Sequence, residues 1–415
     1  MKKYNIIGIV AEYNPFHNGH KIHIEKSKKE NNNNIIIAFM SGNFVQRGET
    51  AIFDKWTRTK AALLNGVDIV IEIPVYFACS SAEYFSECAI RLMENTNVID
   101  TISFGSEIGE IKYLEEISNI LYNETSEFKN LFKKEISKGI PFHKARVETI
   151  KKFSNIENNI IDKILKTPNN ILSIEYLKTL KKINSQITPL TIKRENSNYN
   201  SKVMEGEISS ATSIRECIKK NNLKNAFQAI PKNCINIYEK EIYEGKAPIL
   251  NEYISDIINY KLRTTSKNYI AEILDVTEGI ENRIYKSLIK NYDFYDLCNF
   301  IKSKRYTYTK IQRILIHILL DITKKDTNRF IENGFCQYIR ILGFKRSASH
   351  IITEISKKSS LPIITNIKNA KKQLNELEFK MLEKEIYSTN IYNILNPNIK
   401  NRSINIEYTT PIIII

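Results

Sequence analysis

No stretch of the chain approaches the length of a membrane span, and its first apolar run, Ile6 to Val10, is stopped by Glu12. Neither a signal peptide nor an anchor is therefore expected. Cysteine is sparse: the six residues at 79, 88, 217, 234, 298 and 336 form no CxxC pair and no compact framework. That excludes a disulfide scaffold and leaves the reduced thiols of a cytoplasmic protein. No internal repeat stands out, and glycine is scarce late in the chain, with four after residue 225. What is present is a hydrophobic fraction of 42%, enough for a proper core, over 415 residues, room for two or three domains. The net charge of +15 and pI near 9.2 suit a polyanionic partner. A chain crowded with Ile, Asn and Lys carries lysine everywhere, however, so charge alone decides little.

The most informative stretch is Ile6 to His23, IIGIVAEYNPFHNGHKIH. Its apolar opening has the pattern of a strand buried on both faces. Tyr13-Asn14-Pro15 breaks that strand, because proline and its predecessor disfavour helix. From His20 to Lys29 a lysine-rich segment can be helical. A strand, a tight turn and a helix start aim backbone N–H groups and a positive helix end at an anion. His17 and His20, three residues apart beside Gly19, point to phosphate chemistry. As a metal pair they supply two ligands, with His23 a third and no cysteine nearby, so no zinc is expected.

Up to about residue 110, short apolar runs alternate with amphipathic stretches. Ile35 to Met40 and Asp68 to Ile73 read as the second and third strands, and Val98 to Phe104 as the fourth. Asp54 can cap a helix through Leu64, closed by Gly66. Ser80 and Glu83 form a capping box for a helix to about Met93. Strands joined by helix-length connections predict a doubly wound, Rossmann-like parallel sheet whose ligand lies at the carboxyl ends of its strands. Residues 110 to 185 read as helical with a break at Gly139-Ile140-Pro141. Thr188 to Lys193 is the last strand, and Ile208 to Arg215 opens a further helix. The expected division is an α/β domain over 1–225 and a mainly α-helical, basic domain over 226–415. The Ile-rich end from Pro411 to Ile415 is an edge strand or a frayed tail.

His17-Asn18-Gly19-His20 resembles the HxGH signature of the nucleotidylyltransferase superfamily. The longer string from Glu12 to His20 resembles one branch, the bacterial tRNA(Met) cytidine acetate ligases. The resemblance implies that His17 and His20 bind the phosphates of ATP and stabilise the transition state at the α-phosphorus. It also implies that ATP lies along Val10-Ala11-Glu12-Tyr13-Asn14-Pro15-Phe16-His17-Asn18-Gly19-His20-Lys21 and His23. Ser209-Ser210-Ala211-Thr212-Ser213-Ile214-Arg215 resembles the superfamily's second signature. There, Ser209 and Thr212 would hold the leaving diphosphate and Arg215 would neutralise it, as attack at the α-phosphorus requires. Met40 to Glu49 matches the branch's MSGxFxQRG string. Ser41, Asn43, Gln46 and Arg47 accordingly belong to a substrate pocket, the arginine as a forked cation. Gly105 and Arg194 match further ATP-binding positions, and Pro168-Asn169-Asn170-Ile171-Leu172 resembles an asparagine motif that contacts the nucleotide, with Asn170 favoured over Asn169. Departures are Ser173 and Cys88, where relatives often have glycine, and Asn200, after Tyr199, where histidine is expected.

Three segments of the second half resemble the branch's remaining landmarks: Glu278 to Arg283, Ile301 to Thr307 and Arg340 to Arg346. Cations interleaved with tyrosines suit RNA, whose phosphates pair with Lys and Arg and whose bases stack on rings. The residues expected to meet tRNA are Arg283, Lys302, Lys304, Arg305, Arg340, Lys345 and Arg346. The activity implied is an ATP-dependent ligase that makes acetyl-adenylate and acetylates N4 of the wobble cytidine of elongator tRNA(Met). Mg²⁺ is expected with ATP, although no ligand set is legible. The alternatives are a small-molecule adenylyltransferase and a catalytically idle RNA-binding protein.

Overall fold

The computed structural model describes residues 4–29, 33–140, 142–194, 208–303 and 306–415. Asn200, Lys304 and Arg305 lie outside them. The core is an eight-stranded sheet built from β1 (Ile6–Ala11), β2 (Ile35–Ser41), β5 (Ile69–Ile73), β6 (Thr101–Ser106), β7 (Thr188–Lys193), β8 (Ile339–Phe344), β9 (Ile363–Ile364) and β10 (Ile413–Ile414). A separate small hairpin, β3 (Phe44–Val45) with β4 (Glu49–Thr50), follows β2. The main order is β10-β8-β5-β2-β1-β6-β7, with β9 beside β8. The run from β5 to β7 is parallel throughout, in registers such as Ile6 with Ile35 and Thr101 with Thr188. This is the Rossmann-like sheet expected from the alternating runs. The fourth strand begins at Thr101, later than the apolar text suggests.

The helices end where side-chain chemistry dictates. In α1 (Asn18–Lys28) the cap is His17 itself. In α2 (Lys55–Leu64), Asp54 accepts the Thr57 N–H at 2.7 Å, and the chain turns out through Gly66 at φ +105°. A single turn, α3 (Val75–Ala78), precedes α4 (Ala82–Thr96). Ser81, not Ser80, caps α4 by accepting the Tyr84 N–H; the Ser80 hydroxyl instead donates back to the Tyr76 carbonyl at 2.6 Å.

The chain beyond residue 225 is largely helical, yet it returns to the sheet. β8 pairs antiparallel with β5, Ile69 opposite Phe344, and the Ile-rich end forms β10 in parallel with β8. A buried ion cluster fastens this junction. Lys55 reaches Glu72 at 2.6 Å and also Glu407, while Arg340 reaches Glu72 at 2.7 Å and also Glu407. Arg340 is only 5% exposed, so its charge serves the core and not a nucleic-acid surface. Glu385 sits beside the cluster, its carboxyl pushed up to about 8 by burial first and by Glu72 second. At the tip of the hairpin, Gly48 has φ +74° and lies so close to the helix Tyr308–Leu319 that a Cβ would fall 2.4 Å from the Arg313 nitrogen. Only glycine allows that approach. No helix among the described residues is long and apolar enough to cross a membrane.

Candidate active site

The carboxyl ends of β1 and β6 open into a cleft, and the imidazole pair stands at its floor. His17 Nδ1 accepts the Gly19 N–H at 3.1 Å, and His20 Nδ1 accepts the His17 N–H at 3.2 Å. The rings stack with centroids 3.7 Å apart. Since both Nδ1 atoms are acceptors, hydrogen bonding assigns the proton of each neutral ring to Nε2, which becomes a donor. Gly19 matters here for space. A Cβ at that position would lie 2.9 Å from His17 Cε1, and its N–H is already bound to His17. Tyr13 (φ +48°) and Phe16 pack on His20 with centroids 5.0 and 5.5 Å away.

Burial holds all three histidines neutral, with nearby cations adding to it. His17 falls to about 3 and His23 to about 4, in each case by burial first and Arg194 second; His20 lies well below its usual value. His23 also contacts the Ser103 hydroxyl at 3.0 Å. A histidine whose folded pKa is depressed binds fewer protons than in the unfolded chain. Its stabilisation is present above about 6.5 and is lost as pH falls toward 4. Nitrogen-15 spectra at pH 6 should show His17 and His20 as neutral Nε2–H tautomers, and unfolding free energy should decline below that pH. An imidazolium signal at pH 6 would contradict the assignment.

A buried arginine fixes the loops around the cleft. Arg58 Nε donates to the Phe53 carbonyl at 3.0 Å, and Nη1 donates to the Glu12 and Ser41 carbonyls at 2.6 and 3.1 Å. Its Nη2 holds the Gly42 carbonyl. One guanidinium thus ties the backbones that follow β1 and β2. From there Glu12 Oε1 accepts the Gln46 N–H at 2.9 Å, while burial raises the Glu12 carboxyl against the opposing pull of Gln46, Arg215 and Arg47. Arg215 comes from the helix Ala211–Lys219, capped by Ser210. Its Nη1 donates to the Asn14 carbonyl at 2.8 Å, and its Nη2 lies 3.5 Å from both Glu49 Oε2 and Thr212 Oγ1.

The cleft gathers Val10 to Asn14, His17, His20, His23, Gln46, Arg47, Gly105, Arg194, Thr212 and Arg215; Gly19 and Ser209 line an adjoining cavity. Other expected residues are elsewhere. Pro15 and Phe16 are buried beneath the turn, and the Asn18 amide donates to the Gln228 carbonyl at 3.3 Å. Lys21 points outward beside Glu25. Ser41 is fully buried, and Asn43 is engaged with the Lys55 N–H and Thr389. Asn169, not Asn170, lines the cleft. Asn170 is fully buried, its oxygen accepting the Glu107 and Ile108 N–H groups and its amide donating to Thr167. Of the basic residues, Arg283 binds the Phe300, Ile301 and Lys302 carbonyls, and Lys345 pairs with Asp68 at 3.2 Å. Lys302 and Arg346 are exposed. The sequence reading missed Glu49 and the apolar wall of Phe85, Phe104, Leu172 and Tyr176. Among the described residues no group of three or more His, Cys, Asp or Glu is placed to hold a metal ion.

A mostly parallel sheet with paired imidazole donors just past its first strand, sharing a cleft with an arginine on a later helix, is the arrangement of a nucleotide-handling transferase. A protein-family model described as HIGH Nucleotidyl Transferase matches residues 4–407. Within that class, the chain belongs to the family of the tRNA(Met) cytidine acetate ligases. It is 45% identical over 395 residues to the protein of that name from Thermoanaerobacter sp. (strain X514), covering 95% of this chain and 96% of the relative. It is 39% identical over 413 residues to the one from Acetivibrio thermocellus, covering 99% of each. The crystal structure of Thermotoga maritima TmcAL in its apo form superposes with a TM-score of 0.94 at 30% identity, covering 99% of both chains. The same protein bound with alpha-thio ATP gives 0.92.

Proposed function

We propose that this chain is an ATP-dependent tRNA(Met) cytidine acetate ligase. An acetate oxygen attacks the α-phosphorus of ATP, the bond to the bridging oxygen breaks, and diphosphate leaves with the electron pair. The N4 amine of the wobble cytidine of elongator tRNA(Met) then attacks the acetyl carbon. AMP departs, the amine sheds a proton, and N4-acetylcytidine remains. The observation that carries this reading is the full-length likeness to ligases of that name, joined to the two Nε2–H donors in the cleft.

In this reading His17 and His20 donate to the α-phosphate as its charge builds. Arg215, Thr212 and Ser209 compensate the departing diphosphate. The adenine lies against the wall of Phe85, Phe104, Leu172 and Tyr176, near Gly105 and Asn169, with Arg194 alongside. Acetate is held near Gln46 and Arg47. Mg²⁺ would accompany the phosphates of ATP and neutralise part of their charge. The protein works in the cytoplasm, and Lys302 and Arg346, with Lys304 and Arg305, supply cations for the tRNA backbone. Labelled acetate, ATP and total tRNA should give label in N4-acetylcytidine, with one AMP released per acetyl transferred. AMP appearing on a phosphorylated metabolite, with no labelled RNA, would overturn the reading.

A further inference from the structure

The second step needs a way in for a bulky acceptor, and the nucleotide cleft has a neighbour that provides it. Glu49, Thr212 and Arg215 line both the nucleotide cleft and a second polar cleft, which lies between the helix Ala211–Lys219 and the helices Phe294–Ile301 and Tyr308–Leu319. Glu49 follows the loop whose Gln46 and Arg47 line the first cleft, so the shared wall stands next to the residues placed around acetate. On its far side the second cleft presents Tyr295, Tyr308 and Asn299. Lys219 stands over the Tyr295 ring at 5.2 Å and is ion-paired with Glu252. Aromatic faces and an amide are groups that take an unstacked base. The lining cations Arg215 and Lys219 are paired with Glu49 and Glu252, and Glu216 adds a further carboxylate, so the cleft suits the base and not its phosphate.

We propose that this second cleft receives the acceptor nucleobase of the RNA, splayed out of its strand and stacked on Tyr295 or Tyr308, so that its exocyclic amine enters past Glu49 toward the acyl group. The assignment rests on the ligase reading above. The walls of this cleft come from both halves of the chain, Thr212 and Lys219 from one and Tyr295 and Tyr308 from the other.

Two variants test it, assayed for acetate-dependent ATP–diphosphate exchange and for acetyl transfer to tRNA. Tyr295→Ala with Tyr308→Ala removes the stacking faces. Asn299→Trp, at an exposed position, fills the cleft without removing a packed side chain. Both should keep exchange near the unmodified rate while transfer falls about tenfold or more, the order of one lost base–aromatic stack. Transfer undiminished in Asn299→Trp would overturn the assignment, as would a loss of exchange equal to the loss of transfer. Unmodified protein that exchanges diphosphate but acetylates no tRNA would refute the ligase reading itself, and the acceptor cleft with it.

Discussion

His20→Ala is expected to reduce acetate-dependent ATP–diphosphate exchange by about 10²–10³-fold, the usual cost of removing one preorganised donor to a developing oxyanion. The ring supplies one of two Nε2–H groups in the cleft, stacks on His17 and accepts the His17 N–H at 3.2 Å. Alanine is a good helix former, and α1 keeps its His17 cap, so the fold should persist. Affinity for tRNA should change little, because the His20 ring packs on Tyr13, Phe16 and His17 and not on the exposed Lys302 or Arg346. Exchange measured beside a filter-binding titration separates the two. Loss of RNA binding together with exchange would mean that the histidines serve the fold and not the chemistry.

Arg340→Met should lower stability by about 3–5 kcal/mol, because removing one side of a buried ion cluster strands the opposing charges. Glu72 and Glu407 would then share Lys55 alone, beside a Glu385 carboxyl whose pKa of about 8 already reflects burial and the neighbouring Glu72 charge. Urea unfolding gives the loss, and the salt dependence of tRNA binding should stay the same. A drop of about one in the slope of log affinity against log salt, with stability intact, would instead place Arg340 on a phosphate.

The sheet was legible because β1 and β2 are nearly unbroken apolar runs, and β5 is one but for Glu72, each bounded by turn chemistry, and such runs carry their own signal. β8 was not. Arg340 within Ile339–Phe344 looks like a surface cation until Glu72, from β5, and Glu407, from near the chain's end, are brought to it. No local pattern encodes that meeting. The same holds for Arg58, whose four carbonyl partners come from three separate stretches of chain. At finer scale, adjacent residues of one type defeat a linear reading. Whether Asn169 or Asn170 faces the cleft depends on one helical step and on Glu107, which binds the N–H groups of both. Likewise Ser80 and Ser81 differ only in which hydroxyl faces the helix start. The histidine pair, by contrast, was legible because its spacing, its glycine and the strand before it all lie within one short stretch. The apolar wall of the cleft carries no such mark, since Phe85, Leu172 and Tyr176 occupy helical positions that look like core.

The central claim is that these residues activate a carboxylate at the α-phosphorus of ATP. The measurement that tests it most directly is ATP–diphosphate exchange by the purified protein, with and without acetate, first alone and then with total tRNA. Exchange that requires acetate, in either setting, is the predicted result. Exchange that ignores acetate but needs a phosphorylated metabolite would contradict the account and make the protein an adenylyltransferase.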